Sequence, residues 1–413
     1  MTAGPDDPDH VAAPADRTRW GLFWLLFAAG VAGGCQTGKV PVALPAMRGE
    51  LDLSLVMAGW VLSINTVIGM LAGTLAGGIA DWVGRRRLLL GGMAVMAAGS
   101  LLGALAPDGD WLLATRVLEG VGFVCLVVTG PALVTRLMRP EDHRLALGIW
   151  GAYLPAGVTL MLLASPVILD HIDWRGLWVV NGLLVGAVML ALMVGLRGLD
   201  EGRAARRPLR ALWRDVRLVA VAPGPVFLSF SFMVYTTNWF MVTGFLPTFL
   251  IETWGLSAAA AAAMTAFVVA GNVVGNIAGG WLLRWGVARW VLMGGAAVFM
   301  GLAGAGVYSD FLPQIVRLAL CFAFSTVGGL IPASIFAGAV VLSPRASALA
   351  TTTGLVMQSA NTGSTLGPPL LAALVTFFGS WQAAPGLIVL LALAGVGLSL
   401  GVRRAERHPP RLV

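Results

Sequence analysis

The sequence predicts an all-α integral membrane protein: twelve transmembrane helices in two pseudo-symmetric six-helix bundles. Three observations predict it. The 413 residues are 58% hydrophobic and only 11% charged, where a soluble domain carries about a quarter charged residues. Apolar runs of about 20 residues, enough to cross a bilayer core, recur along the chain. They are continuous runs, without the alternation of a membrane β-barrel. Finally, the second half of the chain repeats glycines of the first.

Residues 1–19 form a polar, acidic-rich tail, and no small-residue cleavage site follows the first apolar run, so this start does not read as a signal peptide. Spans are expected at about 20–46, 56–80, 87–106, 110–136, 144–168 and 175–197. These make the first bundle, 20–197. A basic polar linker, 198–222, leads to spans at about 224–250, 257–283, 288–308, 311–341, 346–377 and 381–402. The second bundle is 223–402 and a tail of 403–413 follows. Breaks carry turn and charge signals such as "APDGD", "RPEDHR" and "DHIDWRG".

Basic residues fix the expected orientation. If both termini are cytoplasmic, 22 of the 27 basic residues lie on that side, only Arg48 and Arg175 lie outside, and Lys39, Arg116 and Arg317 lie in the membrane. The positive-inside rule favours this arrangement, in a bacterial-type inner membrane. It also accounts for the net charge of +7 without a nucleic-acid partner.

A shift of 202 residues superposes 69–92 on 271–294. Gly69, Gly73, Ala76, Gly77, Gly78, Gly84, Arg87 and Gly92 meet Gly271, Gly275, Ala278, Gly279, Gly280, Gly286, Arg289 and Gly294. Two parallel halves about a central axis are a transporter architecture, with the site between them near midplane. The shared G-xxx-G spacing lets helices approach closely.

The stretch "GGIADWVGRRRLL" at 77–89 resembles the signature loop of the major facilitator superfamily. Gly77, Asp81, Gly84, Arg85 and Arg86 match it, and Trp82 replaces the usual Arg. The resemblance implies the major facilitator fold, with Asp81, Gly84, Arg85 and Arg86 as a conformational latch between the halves. The second copy has Leu283 at Asp81's place, so the latch is expected mainly from the first half. "RVLEGVG" at 116–122 resembles the family's fourth-helix motif, with Glu119 in place of Gln. "DWRGLW" and "GLVMQSANTGSTLGPPLLAAL" resemble its sixth-span entry and eleventh span. "GAYLPAG" keeps Pro155 but lacks the paired glycines of the antiporter motif. Within the superfamily the pattern is nearest the cyanate and nitroimidazole transporter group.

Away from the span ends, four charges lie within the membrane: Lys39, Arg116, Glu119 and Arg317. Each costs a few kcal/mol or more unless paired or hydrated. Lys39, the chain's single lysine, has no acid within seven residues on its own span. It either reaches the outer headgroups or waits for an anion, and Arg317 poses the same choice. Arg116 and Glu119 share a helix face at i, i+3 and can neutralise each other. Glu119, the one carboxylate within the spans, is a candidate for proton coupling with Arg116; the alternative is a structural ion pair. Lys39, Arg116, Tyr153, Asn238, Gln358 and Asn361 are candidates for substrate binding, against interhelical hydrogen bonding or packing.

An enzyme would need a nucleophile with a base, or metal ligands, at membrane depth. The four histidines are scattered over tails and loops, and the three cysteines fall in apolar runs. No cofactor or metal is expected. The expected function is secondary active transport by alternating access, with a small solute and the proton gradient across the bilayer as partners and the protein a monomer. Lys39 and Arg116 favour a small polar or anionic organic solute. The alternative is proton-driven export of a bulky organic compound, a drug or siderophore.

Overall fold

The computed structural model describes residues 18–74, 83–197, 209–345 and 348–407. Among them there is no strand, and fifteen of sixteen helices trace twelve crossings. The first half comprises α1 (Trp20–Glu50), α2 (Leu55–Ser63) and α3 (Val67–Ala72), α4 (Arg85–Gly103), α5 (Gly109–Leu137), α6 (His143–Trp150), α7 (Tyr153–His171) and α8 (Trp174–Gly195). Then come α9 (Leu209–Val221) and the second half: α10 (Pro223–Trp254), α11 (Ala258–Arg284), α12 (Arg289–Val307), α13 (Gln314–Gly328), α14 (Leu330–Leu342), α15 (Leu349–Phe378) and α16 (Ala384–Arg407). Crossings two, five and ten are each broken into two helices: at the 3₁₀ turn Ile64–Thr66, at Gly151–Ala152 and at Gly329.

Ten crossings are long and apolar enough to span a membrane among the described residues. The other two are α4, which opens on Arg85 to Arg87, and α15, which is rich in Thr, Ser, Asn and Gly. Their lengths, 19 and 30 residues, still give about 28 and 45 Å at 1.5 Å per residue. The polar composition of α15 fits its position against the other half rather than lipid.

The halves meet along two seams. In one, α2 and α3 pack on α15. A Cβ at Gly59 would lie 2.8 Å from the Pro369 Cα, one at Gly69 would meet the Asn361 side chain, and one at Gly73 would lie 3.1 Å from the Gln358 Cα. Bare glycine surface thus lets two backbones approach where lipid provides no hydrophobic drive. Thr66 and Thr365 share a 2.7 Å hydrogen bond across this seam. In the other seam, Val158 and Leu162 of α7 pack with Ala262, Ala266 and Val269 of α11. At the end opposite the termini, Arg48 of α1 pairs with Glu252 of α10 at 2.8 Å.

The repeat is visible in the backbone. Gly84 and Gly286, 202 residues apart, have φ of +93° and +88° and stand just before the third and ninth crossings. This left-handed region favours glycine. Ser54 and Ser257 likewise cap α2 and α11, accepting from the amides of Met57 and Ala260. Asp81 of the expected latch lies outside the described residues. Arg86 donates to the Met193 carbonyl at 3.2 Å.

One expected boundary is corrected: the first crossing runs to Glu50, not to about residue 46. Within the basic linker, residues 209–221 form α9, which packs on α10 and α15. Asp215 and Val219 are buried there, one turn apart, on the face that meets the bundle.

Gly286 has open space around its Cα, so alanine there adds strain without a clash. Gly286→Ala should therefore cost about 1–3 kcal/mol. Gly280→Ala, also in open space but helical, should be neutral or slightly stabilising. Thermal unfolding in detergent checks the contrast, and equal effects would refute the strain argument.

Candidate functional site

The centre of the first half holds three charges sealed from solvent. Lys39, Arg116 and Glu119 are 0%, 0% and 1% exposed. Lys39 Nζ donates to Glu119 Oε1 at 2.6 Å, to Gln36 Oε1 at 2.6 Å and to Ser100 Oγ at 2.9 Å. It also lies 4.3 Å from the centre of the Trp178 ring, a favourable place for a cation. Arg116 Nη1 pairs with the other carboxylate oxygen, Glu119 Oε2. Its Nε donates to the Val61 carbonyl at 3.1 Å and its Nη1 to the Gln36 carbonyl at 3.0 Å. Ser100 Oγ donates to the Trp178 carbonyl at 2.9 Å. One carboxylate thus bridges two cations, and crossings one, two, three, four and six all contribute.

The local sequence builds this arrangement. Three residues after Arg116, Glu119 lies on the same face of α5. Gly120 follows, and any Cβ there would collide with the Asn65 backbone. A Cβ at Gly122 would lie 2.6 Å from the Met96 Cβ. On α4, a Cβ at Gly99 would crowd Glu119 Cγ at 3.1 Å, and one at Gly103 would meet Trp178 Cδ1 at 2.7 Å. The glycines of the fourth-helix motif let crossings two and three close over the charges. On α1, Pro41 lies two residues beyond Lys39, and a proline inside a helix removes one backbone hydrogen bond.

The sequence foresaw the Arg116–Glu119 pair but not the partner of Lys39. Lys39 does not reach the headgroups; its anion is the protein's own Glu119, 80 residues away. Arg317 is placed elsewhere. Its Nε donates to the Val307 carbonyl at 2.7 Å, Asp310 lies 3.7 Å from Nη1, and the Phe249 and Trp254 rings flank it at 5.4 and 5.3 Å. It anchors the far end of the second half and does not share a site with Lys39.

The remaining candidates are dispersed. Gln358 accepts from Thr74 and donates to the Met70 carbonyl at 2.9 Å, so it stitches the two halves together. Asn361 donates to Met357 within its own helix and fills the notch left by Gly69. Tyr153 packs against Trp150 at 4.9 Å and over Gly30. Asn238 looks into the interior of the second half, beside Ser231, Tyr235, Met293 and Met300, rather than between the halves. A second polar network was missed as a unit: Asn272 donates to the Tyr235 hydroxyl at 2.8 Å and to the Ser325 carbonyl at 2.9 Å, and Trp239 Nε1 donates to Ser325 Oγ at 3.1 Å. Its signal in the sequence was the polar pair Asn272 and Asn276 on one helix face.

Two repeated six-helix halves, joined along glycine-rich seams with a charged cluster inside one of them, define a membrane transporter. A family model described as the Major Facilitator Superfamily matches residues 22–360 and again 228–413. The chain belongs to the Major Facilitator Superfamily, a family of transporters and not of enzymes. It is 32% identical over 213 residues to the puromycin resistance protein pur8 of Streptomyces alboniger, covering 51% of this chain and 41% of that one. It is 29% identical over 201 residues to the lincomycin resistance protein of Streptomyces lincolnensis, covering 48% and 40%. The chain thus spans about two fifths of the length of the curated relatives it matches. A solved bacterial homologue of the human lysosomal transporter Spinster shares the fold, with a TM-score of 0.75 at 15% identity over 94% of this chain and 95% of that one. The nearness to the cyanate and nitroimidazole group is not supported: these relatives are antibiotic resistance proteins.

The cluster ranks its own substitutions. Glu119→Gln leaves two buried cations without a counter-charge and should destabilise by about 3–5 kcal/mol. Lys39→Gln leaves the one-to-one Arg116–Glu119 pair and should cost less. In a double-mutant cycle the Lys39→Gln/Glu119→Gln protein should show coupling well above 0.5 kcal/mol. Thermal unfolding in detergent measures all four proteins, and additive effects would contradict the bridged geometry.

Proposed function

We infer that this protein is a secondary active exporter of bulky organic compounds, of the kind represented by antibiotics, driven by the proton gradient across a bacterial inner membrane. The observation that carries this reading is the closure of Lys39 on Glu119. The expectation of a small anionic solute rested on a lysine waiting for an anion. That ammonium already has a carboxylate, an amide oxygen and a hydroxyl as acceptors, so the lone lysine no longer argues for an anionic substrate. The resistance proteins among the relatives then favour export of a drug-like compound.

Glu119 is the proton carrier in this reading. Protonation removes the negative charge that holds Lys39 and Arg116, and releases crossing one from crossing four. Arg116 Nη2 and Gln36 Nε2 have no acceptor among the described residues, so the cluster has donors ready for a rearranged partner. Asp81, Gly84, Arg85 and Arg86 act as the latch at the cytoplasmic end, where both termini lie. The Arg48–Glu252 pair closes the outer end and separates when that end opens. The protein works as a monomer.

Inside-out membrane vesicles test the reading. With an acidic interior, vesicles containing the protein should accumulate radiolabelled puromycin or lincomycin, and nigericin should abolish the accumulation. Glu119→Asp keeps the charge and should retain part of the driven uptake. Gradient-independent drug movement would remove the proton coupling. Uptake of small anions such as cyanate, with neither drug transported, would overturn the export reading.

A further inference from the structure

The helix α9 stands outside both halves, and the transport reading does not use it. It is strongly amphipathic, and its inner face, with Asp215 and Val219 buried, rests on α10 and α15. The outer face carries Arg210, Arg214 and Arg217, all exposed. At 100° per residue these three fall within an arc of about 60°. Val221 falls within the same arc and Trp213 about 40° beyond its edge, and they are 79% and 56% exposed. A solvated surface explains arginines there but not an open tryptophan and valine beside them.

The helix is also fixed in height. Only Ala222 separates Val221 from Pro223, where a membrane crossing begins. The Ala222 amide donates back to the Val219 carbonyl at 3.2 Å, which keeps that joint tight. The C-terminal end of α9 therefore sits at the level where a span enters the bilayer. Neighbouring arginines at this end are otherwise engaged: Arg289 pairs with Glu406 at 2.5 Å and Arg403 stacks over Trp290 at 4.4 Å. By contrast, Arg210, Arg214 and Arg217 are exposed.

We propose that α9 lies in the membrane surface and binds anionic phospholipid headgroups through Arg210, Arg214 and Arg217, with Trp213 and Val221 seated among the acyl chains. Guanidinium groups suit phosphate, since the planar fork donates two parallel hydrogen bonds. Arginine stems and an indole at one level are the composition of an interfacial helix. The occupant is a lipid and not free phosphate, because exposed Val221 continues the cationic stripe towards the crossing and exposed Trp213 lies beside it. Bound lipid would hold α9 against α10 and α15, both of the second half, at the end of the bundle where the chain crosses between halves.

The test uses the full chain in detergent, titrated with palmitoyl-oleoyl phosphatidylglycerol, with the matching phosphatidylcholine, or with glycerol 3-phosphate. Binding is read by thermal shift and by native mass spectrometry. A basic residue near an anionic surface is worth roughly fivefold in affinity, so the triple variant R210Q/R214Q/R217Q should bind phosphatidylglycerol roughly a hundredfold more weakly. The triple lysine variant should keep most of the charge-dependent binding, and W213A should lose part of the affinity while keeping the preference for the anionic lipid. An unchanged melting temperature in phosphatidylcholine shows that the glutamine variant is folded. Equal affinity of wild type and triple glutamine variant for phosphatidylglycerol would overturn the proposal. So would equal binding of phosphatidylcholine, or competition by glycerol 3-phosphate at the same concentration, which would mark a soluble-phosphate site instead.

Discussion

The single carboxylate of Glu119, held between Lys39 and Arg116, is the constraint on which the first half depends. Two cations cannot stay in a sealed interior without it, since an unpaired buried charge is costly. The carboxylate in turn requires two cations from different crossings, and so fixes how crossings one and four rotate about their axes. Gly99, Gly103, Gly120 and Gly122 are then needed to let the neighbouring helices close around the charges. Ser100 and Trp178 complete the shell by hydrogen bond and ring face. The fourth-helix motif is thus a packing prescription as much as a chemical one.

Among the described residues the second half has no such centre. A shift of 202 places Met241 opposite Lys39 and Cys321 opposite Glu119, and both are fully buried. Its charge, Arg317, lies instead among aromatic rings near the far end. The two halves share a backbone plan, as Gly84 and Gly286 demonstrate, but they are held together by different physics. One is tied by a desolvated ionic bridge. The other is tied by apolar packing and by neutral hydrogen bonds around Asn272, Tyr235 and Ser325.

The architecture was legible in the sequence because hydrophobic length and charge distribution report it directly. The repeat was legible because glycine recurs at matching positions of the two halves, at close contacts such as Gly69 and Gly271 and at the left-handed turns of Gly84 and Gly286. Within the site, Arg116–Glu119 was legible from spacing along one helix. The partner of Lys39 was not, because contact between residues 80 apart depends on helix rotation, which one sequence does not encode locally. Asn238 illustrates the same limit: its helix was expected, but the face it turns inward was not. Helix α9 lies in a stretch that the sequence marks only as basic linker, because the arginines dominate its composition and obscure the apolar period beneath them.

The bridged cluster has an electrical consequence. With each group in its charged form, two cations and one carboxylate sum to one positive charge. A full membrane potential of 100 mV acts on an elementary charge with about 2.3 kcal/mol. If the first half tilts so that the cluster moves through a fifth of that field, the work is about 0.5 kcal/mol. On the proposed transport reading, the resting voltage would bias which end of the protein stands open, and neutralising Glu119 would double the charge on which it acts.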